Sequence, residues 1–370
     1  MVFSDLLKLM VHKKASDLFI TAGVPPSIKI DGKVTPVTKQ ALTPEQSRAF
    51  AYGIMTEEQR RQFEASNECN FSISPKEIGR FRVNIFMQQS CVGMVLRTIE
   101  SKIPRFDELN LPKVLADVAL TKRGLVIFVG ATGSGKTTSL AAMIGYRNEY
   151  SYGHIITIED PIEFVHDPRN CIITQREVGV DTESFDAALK NTLRQAPDVI
   201  LIGEIRSRET MDFAIVFAET GHLCLATLHA NSANQALDRI INFFPEDRRN
   251  QLLMDLSLNL KAVISQRLIP MKTGKGRVPA VEVMINSPLI ADLILKGEVH
   301  GIKELMAKST EAGMQTFDQS LFNLYESGLI SYDDALRNAD SVNDLRLRIK
   351  LEGKDAKGQS LGDSMRNVTF

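Results

Sequence analysis

Apolar and polar positions follow two different rhythms along this chain, and the change comes near residue 124. Before it, period-two alternation dominates. Phe81, Val83, Ile85 and Met87 share one face of a stretch from Gly79 to Gln88, and Arg80, Arg82 and Asn84 share the other, the pattern of a half-buried strand. Cys91 to Ile99, Asp17 to Ile20 and Ser27 to Ile30 read as further strands, with a turn at Asp31-Gly32 and a loop from Gly23 to Pro26. Phe3, Leu6, Leu7 and Met10 have helical spacing, and Thr43-Pro44-Glu45 opens a helix with proline at its first position. Residues 1–98 are therefore expected to form a small α+β domain with a largely antiparallel sheet.

Residues 99–123 read as a linker, broken at Ile103-Pro104, with a helix starting at Leu111-Pro112. Beyond it, short continuous apolar runs alternate with helical stretches, which predicts a parallel sheet. The strands are Leu125 to Val129, His154 to Glu159, Val199 to Ile202 and Leu223 to Leu228. The helical faces carry Ala188 and Leu189, then Met211, Ala214, Ile215 and Ala218, with Gly221 as a stop. Ser232 and Gln235 form a capping-box pattern ahead of Leu237, Ile240 and Ile241.

From Glu246 the signal turns helical, with Leu253, Leu256, Leu260, Val263 and Ile264 as one stripe. Val278 to Ile285 reads as a late strand or hairpin arm. Ile290, Leu293 and Ile294 mark one helix face, and Phe317, Leu321 and Leu324 another. The second domain is expected over 124–351. Residues 352–370, polar and Gly-rich, are expected to be a disordered tail. No internal repeat is visible.

Composition narrows the function classes. With 370 residues, the chain has room for two or three domains. The net charge of −1 offers no global basic excess for nucleic acid. No apolar run approaches the ~18 residues of a membrane span, and the N-terminus has no signal-peptide character. Cys69, Cys91, Cys171 and Cys224 lie far apart without zinc spacing. They read as free thiols in a reducing compartment, most simply the cytoplasm.

The chemistry centres on Gly130-Ala131-Thr132-Gly133-Ser134-Gly135-Lys136-Thr137, followed by Thr138. This is the phosphate-binding pattern, placed after a buried strand and before a helix. Glycines let backbone N–H groups curl round an anion, and the helix adds its positive end. Lys136 is expected on the β- and γ-phosphates and the Thr137 hydroxyl on Mg²⁺, so ATP and Mg²⁺ are the expected ligands.

Acidic residues stand at strand ends, where such sheets place their ligands. Glu159, Asp160 and Glu163 form one group and could orient a water; the bland reading is a solvated acidic turn. Glu204 ends a Walker-B-like strand with Gly203 where an aspartate often stands, and is expected to serve the metal through its water shell. Glu219 reads as a helix-end charge. His222 and His229 flank one strand, on the order of 20 Å apart if extended, too far to share a metal. His229, at the carboxyl end, could sense a γ-phosphate, whereas His222 is equally well a structural histidine. Arg82 and Arg97 could pair on the surface, or reach a neighbouring copy's site in a ring.

Taken together, the Lys136 loop, Ile158 to Glu163, Leu193 to Asp198, Gly203-Glu204-Ile205-Arg206, and Glu219 to His222 with Thr227 to His229 resemble the PilT/PilU family of secretion ATPases. The resemblance runs from about residue 3 to 350. It implies a PAS-like α+β N-terminal domain, a RecA-like α/β ATPase domain with a helical C-terminal part, and a homo-hexameric ring driving type IV pilus retraction. By resemblance Glu163 activates the water, Glu204 is the Walker B glutamate, His222 and His229 form the histidine box, and Arg82 and Arg97 are the arginines given by the N-terminal domain. Implied partners are a retraction ATPase paralogue and the inner-membrane pilus platform protein, with the ring peripheral at the pilus base; zinc and nucleic acid are not expected.

One departure stands out. The family's principal motor carries an Ala-Ile-Arg-Asn-Leu-Ile-Arg-Glu helix, and here Leu289-Ile290-Ala291-Asp292-Leu293-Ile294-Leu295-Lys296 replaces it. Both arginines are gone, which resembles the accessory branch. Alternatives left open are a nucleotide-binding adaptor ring docked on the main motor, a pilus-assembly or type II secretion ATPase, and a phosphate-loop kinase. The assembly class commonly carries a four-cysteine zinc insert that this chain lacks.

Overall fold

A computed structural model describes residues 2–30, 32–99 and 102–353. The Asp31 half of the expected turn and the expected tail from residue 354 onward lie outside the described residues. The chain divides into two compact units. The first comprises residues 1–103, 161–165 and 177–183, and the second 104–160, 166–176 and 184–370.

The first unit runs α1 (Phe3–His12), β1 (Asp17–Ile20), β2 (Ser27–Ile30), β3 (Lys33–Pro36), α2 (Pro44–Ile54), α3 (Glu57–Ser66), β4 (Glu68–Ile73), β5 (Arg80–Gln88) and β6 (Cys91–Ile99). The six strands form one sheet in the order β3-β2-β1-β6-β5-β4, and every neighbouring pair is antiparallel. The alternation of β5 does what its sequence implies up to Ile85, whereas Met87, expected on the same apolar face, is 38% exposed. Phe81, Val83 and Ile85 are fully buried and pack with Leu18, Met94, Leu96 and the α1 residues Leu6 and Met10. Thr43 and Thr56 cap α2 and α3 with reciprocal bonds to Gln46 and Gln59.

The second unit runs α4 (Val114–Leu120), β7 (Gly124–Val129), α5 (Lys136–Tyr150), β8 (Gly153–Glu159), β9 (Cys171–Glu177, whose last residue groups with the first unit), α6 (Phe185–Thr192), β10 (Val199–Ile202), α7 (Arg208–Glu219), β11 (Leu223–Leu228), α8 (Ala233–Asn242), α9 (Glu246–Asn259), β12 (Leu260–Pro270) and β13 (Arg277–Ile285). Its helical end adds α10 (Pro288–Lys296), α11 (Ile302–Lys308), α12 (Phe317–Glu326), α13 (Tyr332–Arg337) and α14 (Val342–Glu352). The sheet order is β13-β12-β7-β11-β10-β8-β9. Strands β12, β7, β11, β10 and β8 are mutually parallel, and β13 closes the edge antiparallel to β12. Strands β7, β10 and β11 are buried at every position, as the continuous apolar runs require of a sheet covered on both faces.

Two expectations fail here. The stripe from Leu253 to Ile264 is not one helix: α9 stops at Asn259, and Leu260, Val263 and Ile264 belong to β12. A strand buried on both faces shows no period-two signal, so its apolar run can be read as helix. Ser232 caps α8 by accepting from the Gln235 N–H, but the Gln235 side chain accepts from Asn231 rather than Ser232, so the capping box is incomplete. Glu352, the first residue of the expected tail, is the last residue of α14.

Parallel register aligns the carboxyl ends. Val129 lies opposite Leu228 and Ser265, and Ile202 opposite Ala226 and Ile158. Whatever follows these residues shares one edge of the second unit.

Candidate active site

The loop from Gly130 to Gly135 follows the central strand β7, and α5 starts at Lys136. Its glycines are there for space. A Cβ on Gly130 would stand 2.5 Å from Ser134 Oγ and 2.6 Å from the Gln266 carbonyl oxygen. One on Gly135, whose φ is +88°, would stand 2.7 Å from Gln266 Nε2. The Lys136 ammonium donates to the carbonyl oxygens of Gly130 (2.7 Å) and Ala131 (3.0 Å), folded back over its own loop. The Ser134 hydroxyl is buried and has no hydrogen-bond partner among the described residues. A left-handed, glycine-lined loop at a helix start, with an ammonium over its mouth, has the donors and room an anion needs.

Gln266 is a site residue that the sequence did not reveal. It lies on β12 with 2% of its surface exposed, donates from Nε2 to the Ser134 carbonyl oxygen (2.9 Å), and accepts from Ser139 Oγ (2.8 Å). One side chain thus ties the loop, the first turn of α5 and the neighbouring strand together. Its one signal in the sequence is a polar position between the apolar Ile264 and Leu268, just beyond a run that also fits a helical stripe.

Along the same edge, Glu204 follows β10 and His229 follows β11. Glu204 accepts from His229 Nε2 at 2.9 Å and from Arg206 Nε at 2.6 Å, and Arg206 also reaches Asp160 at 3.6 Å. Gly203 is held by its own N–H to the Ile158 carbonyl oxygen and by Thr227 Oγ1, which donates to its carbonyl oxygen. Glu159 is buried at the end of β8 and accepts from Thr157 Oγ1 and Gln175 Nε2. His222 sits at the opposite end of β11, where Nδ1 lies 3.0 Å from Thr220 Oγ1 and 3.2 Å from the Phe217 carbonyl oxygen. The two histidines are therefore held apart at the two ends of one strand. Glu219, beside Asn259, is shifted up by burial and by Asp255.

A cavity of about 290 Å³ opens beside the loop, with Asn231, Arg267, Leu268 and Arg277 on its other walls. Arg267 is fixed by Asp340 at 2.9 Å and lies 3.9 Å over the Phe317 ring. Burial disfavours the charge on Asp340, but Lys303 and Arg267 outweigh it and hold its carboxyl below the usual range. Glu282 on β13 is buried and its pKa is raised by that burial, against hydrogen bonds from the Ala233 N–H and Ser265. It fixes the start of α8, three residues beyond Ala230 and so close behind His229 in the chain.

In the first unit, β5 and β6 place Arg82 directly opposite Arg97, on the sheet face away from the core. Arg97 is 70% exposed and pairs with Asp17 at 2.9 Å, and Asp17 is its register partner on β1. Two like charges across a ladder are unfavourable unless an anion joins them. Glu163 also falls in this unit.

A model of the type II/IV secretion system protein family matches residues 2–326. The chain belongs to that family. The Pseudomonas aeruginosa type IV pilus ATPase PilU is 67% identical over 95% of this chain and 92% of its own length. The type IV pilus retraction ATPase PilT of the same organism is 44% identical over 92% of this chain and 98% of its own. A crystal structure of the pilus retraction motor PilT with bound ADP superposes with a TM-score of 0.88, at 40% identity, covering 94% of this chain and 99% of that one. The secretion-family fold, an N-terminal domain followed by an ATPase domain, is thus the fold of this chain, and nucleotide binding goes with it. No helix among the described residues is long and apolar enough to cross a membrane.

Proposed function

We propose that this secretion-family ATPase assists type IV pilus retraction as the accessory partner of a PilT-like motor. It would act as a ring of six copies on the cytoplasmic side, against the inner-membrane platform of the pilus. The observation that carries this reading is the pairing of a lysine-capped phosphate loop with the Glu204–His229 pair along one sheet edge.

In this reading Lys136 leaves the Gly130 and Ala131 carbonyls for the β- and γ-phosphates of ATP, while the loop amides through Thr138 cradle them. The Thr137 hydroxyl and, through water, Glu204 suit Mg²⁺, a hard cation that keeps several waters; when bound it neutralises the charge between the phosphates. Glu163 orients the attacking water. His229 reports the γ-phosphate to Glu204. Arg82 and Arg97 supply positive charge to a neighbouring copy's site, a role worth about 10³–10⁵ in rate where such fingers operate.

The exposed leucines of α10, Leu289 (64%) and Leu295 (50%), favour a second reading, an adaptor ring that binds nucleotide and docks on the motor. Replacing Glu163 by glutamine in cells separates the two. The motor reading expects Glu163→Gln to lose as much retraction as deletion of the chain does. Intact retraction in Glu163→Gln beside a defective deletion strain selects the adaptor.

A further inference from the structure

The stretch that carries Glu163 does not stay with the strand it follows. Asp160 ends a run that belongs to the second unit, residues 161–165 pack with the first, and 166–176 return to the second. Residues 177–183 then join the first unit again.

Glu177 holds this excursion in place. Its side chain is 4% exposed and accepts three donors. Ser72 Oγ donates to Oε1 at 2.7 Å, the Arg80 guanidinium pairs with Oε2, and the Ile162 N–H donates to Oε2 at 3.1 Å. Behind it the chain closes a tight turn: the Glu177 N–H donates to Asp181 Oδ2 at 2.9 Å, and the Gly179 N–H to the Thr182 carbonyl oxygen at 2.7 Å. Ser72 lies opposite Arg82, and Arg80 is two residues from Arg82 on the same strand. Ser72, Arg80, Arg82 and Arg97 therefore share one sheet face, and Glu177 fastens the Ile162–Glu163 backbone to it.

A buried ion pair contributes little net stability, because desolvation offsets most of its attraction. Its value lies in geometry, since moving Ile162 would strip a donor from a carboxylate that water cannot reach. We propose that Arg80, Ser72 and Glu177 are positioning residues that fix the Glu163 segment on the polar face of the first unit's sheet. Glu163 directly follows Ile162, whose N–H is one of the three donors on Glu177. Loosening this anchor changes whether the water-orienting carboxylate is in place, which couples hydrolysis to the hydrogen bonds on Glu177. The kinetic half of this proposal rests on the role of Glu163 given above; the anchoring half does not.

The test combines hydrogen exchange and steady-state ATP hydrolysis on the full chain with Mg²⁺. Arg80→Ala is expected to speed amide exchange across 161–165 by about tenfold or more. It is expected to lower kcat about 10- to 100-fold while KM for ATP stays within about twofold. Arg80→Lys should recover most of both. In a Glu163→Gln background, Arg80→Ala should cost nothing further in kcat, whereas a residue acting only through general stability would cost the same in either background. If Arg80→Ala does not fold, Ser72→Ala, which removes one hydrogen bond, should show the same pattern at roughly two- to threefold. Unchanged exchange at 161–165 overturns the anchoring. Faster exchange with unchanged kcat overturns the coupling, and so do equal losses in both backgrounds. If Glu163→Gln itself leaves kcat intact, the role of Glu163 fails instead, and the exchange result still decides the anchoring.

Discussion

Gly203 shows how one residue position can redirect a site. A Cβ there would lie 3.1 Å from both Glu159 Cα and the Ile158 carbonyl oxygen, backbone atoms of the neighbouring strand that have little freedom to yield. An aspartate at 203 would crowd β8, so the available carboxylate is Glu204, one residue on, already paired with His229. Lys136, Glu204 and His229 were legible because each lies in a short local pattern with a chemical reason for its spacing. His166 was not, since nothing local announces burial. The residue is 7% exposed, and burial pushes its pKa down to about 4, with Asp167 opposing. Below its unfolded value near 6.5 the unfolded chain takes up a proton that the folded chain refuses. Stability contributed by the neutral ring is therefore complete above pH 6.5 and declines as pH falls towards 4, by about 1.4 kcal/mol per pH unit at most. Thermal unfolding from pH 7 to 4.5 should show a shallower decline for His166→Leu than for the unchanged chain. Parallel curves would show that this ring does not titrate as described.

At the scale of elements, β12 joins fold and site, and its apolar pattern alone does not identify it as a strand. Its residues satisfy a helical stripe and a buried strand equally well, and only pairing with β7 and β13 decides between them. The strand supplies Gln266 to the phosphate loop, Ser265 to Glu282 and Arg267 to Asp340. The rhythm of β5 is legible through Ile85, and the start of α2 is legible from its Thr43-Pro44 cap. Removing the Gln266 amide leaves a buried Ser139 hydroxyl and the Ser134 carbonyl unpaired. Gln266→Leu is expected to cost about 1–3 kcal/mol in thermal unfolding. It should also weaken nucleotide binding measured by calorimetric titration, because the loop loses its tie to the sheet. Nucleotide affinity equal to that of the unchanged chain would show that the loop needs no such tie.

At the scale of the whole molecule, the rhythm change near residue 124 announced two kinds of sheet, and both are present. The crossing of residues 161–165 and 177–183 into the first unit was not legible, because it depends on pairs such as Arg80–Glu177 that are 97 residues apart. Residue type, strand position and family resemblance point to Arg82 and Arg97 in the sequence, but their facing register is visible only in the sheet. In the proposed ring with shared sites, chains carrying Arg97→Ala and chains carrying Lys136→Ala are each expected to be inactive, for different reasons. Mixing them should restore a measurable part of ATP turnover, since some interfaces then combine an intact loop with an intact arginine. No recovery in verified mixed rings would place Arg97 outside the site.

Underlying every role assigned above is the anion cradle of Gly130 to Thr137. Its most direct test is steady-state ATP turnover with Mg²⁺ by the full chain and by Lys136→Ala. Turnover is expected from the former and none above background from the latter. Turnover retained in Lys136→Ala would show that the loop is not the nucleotide cradle.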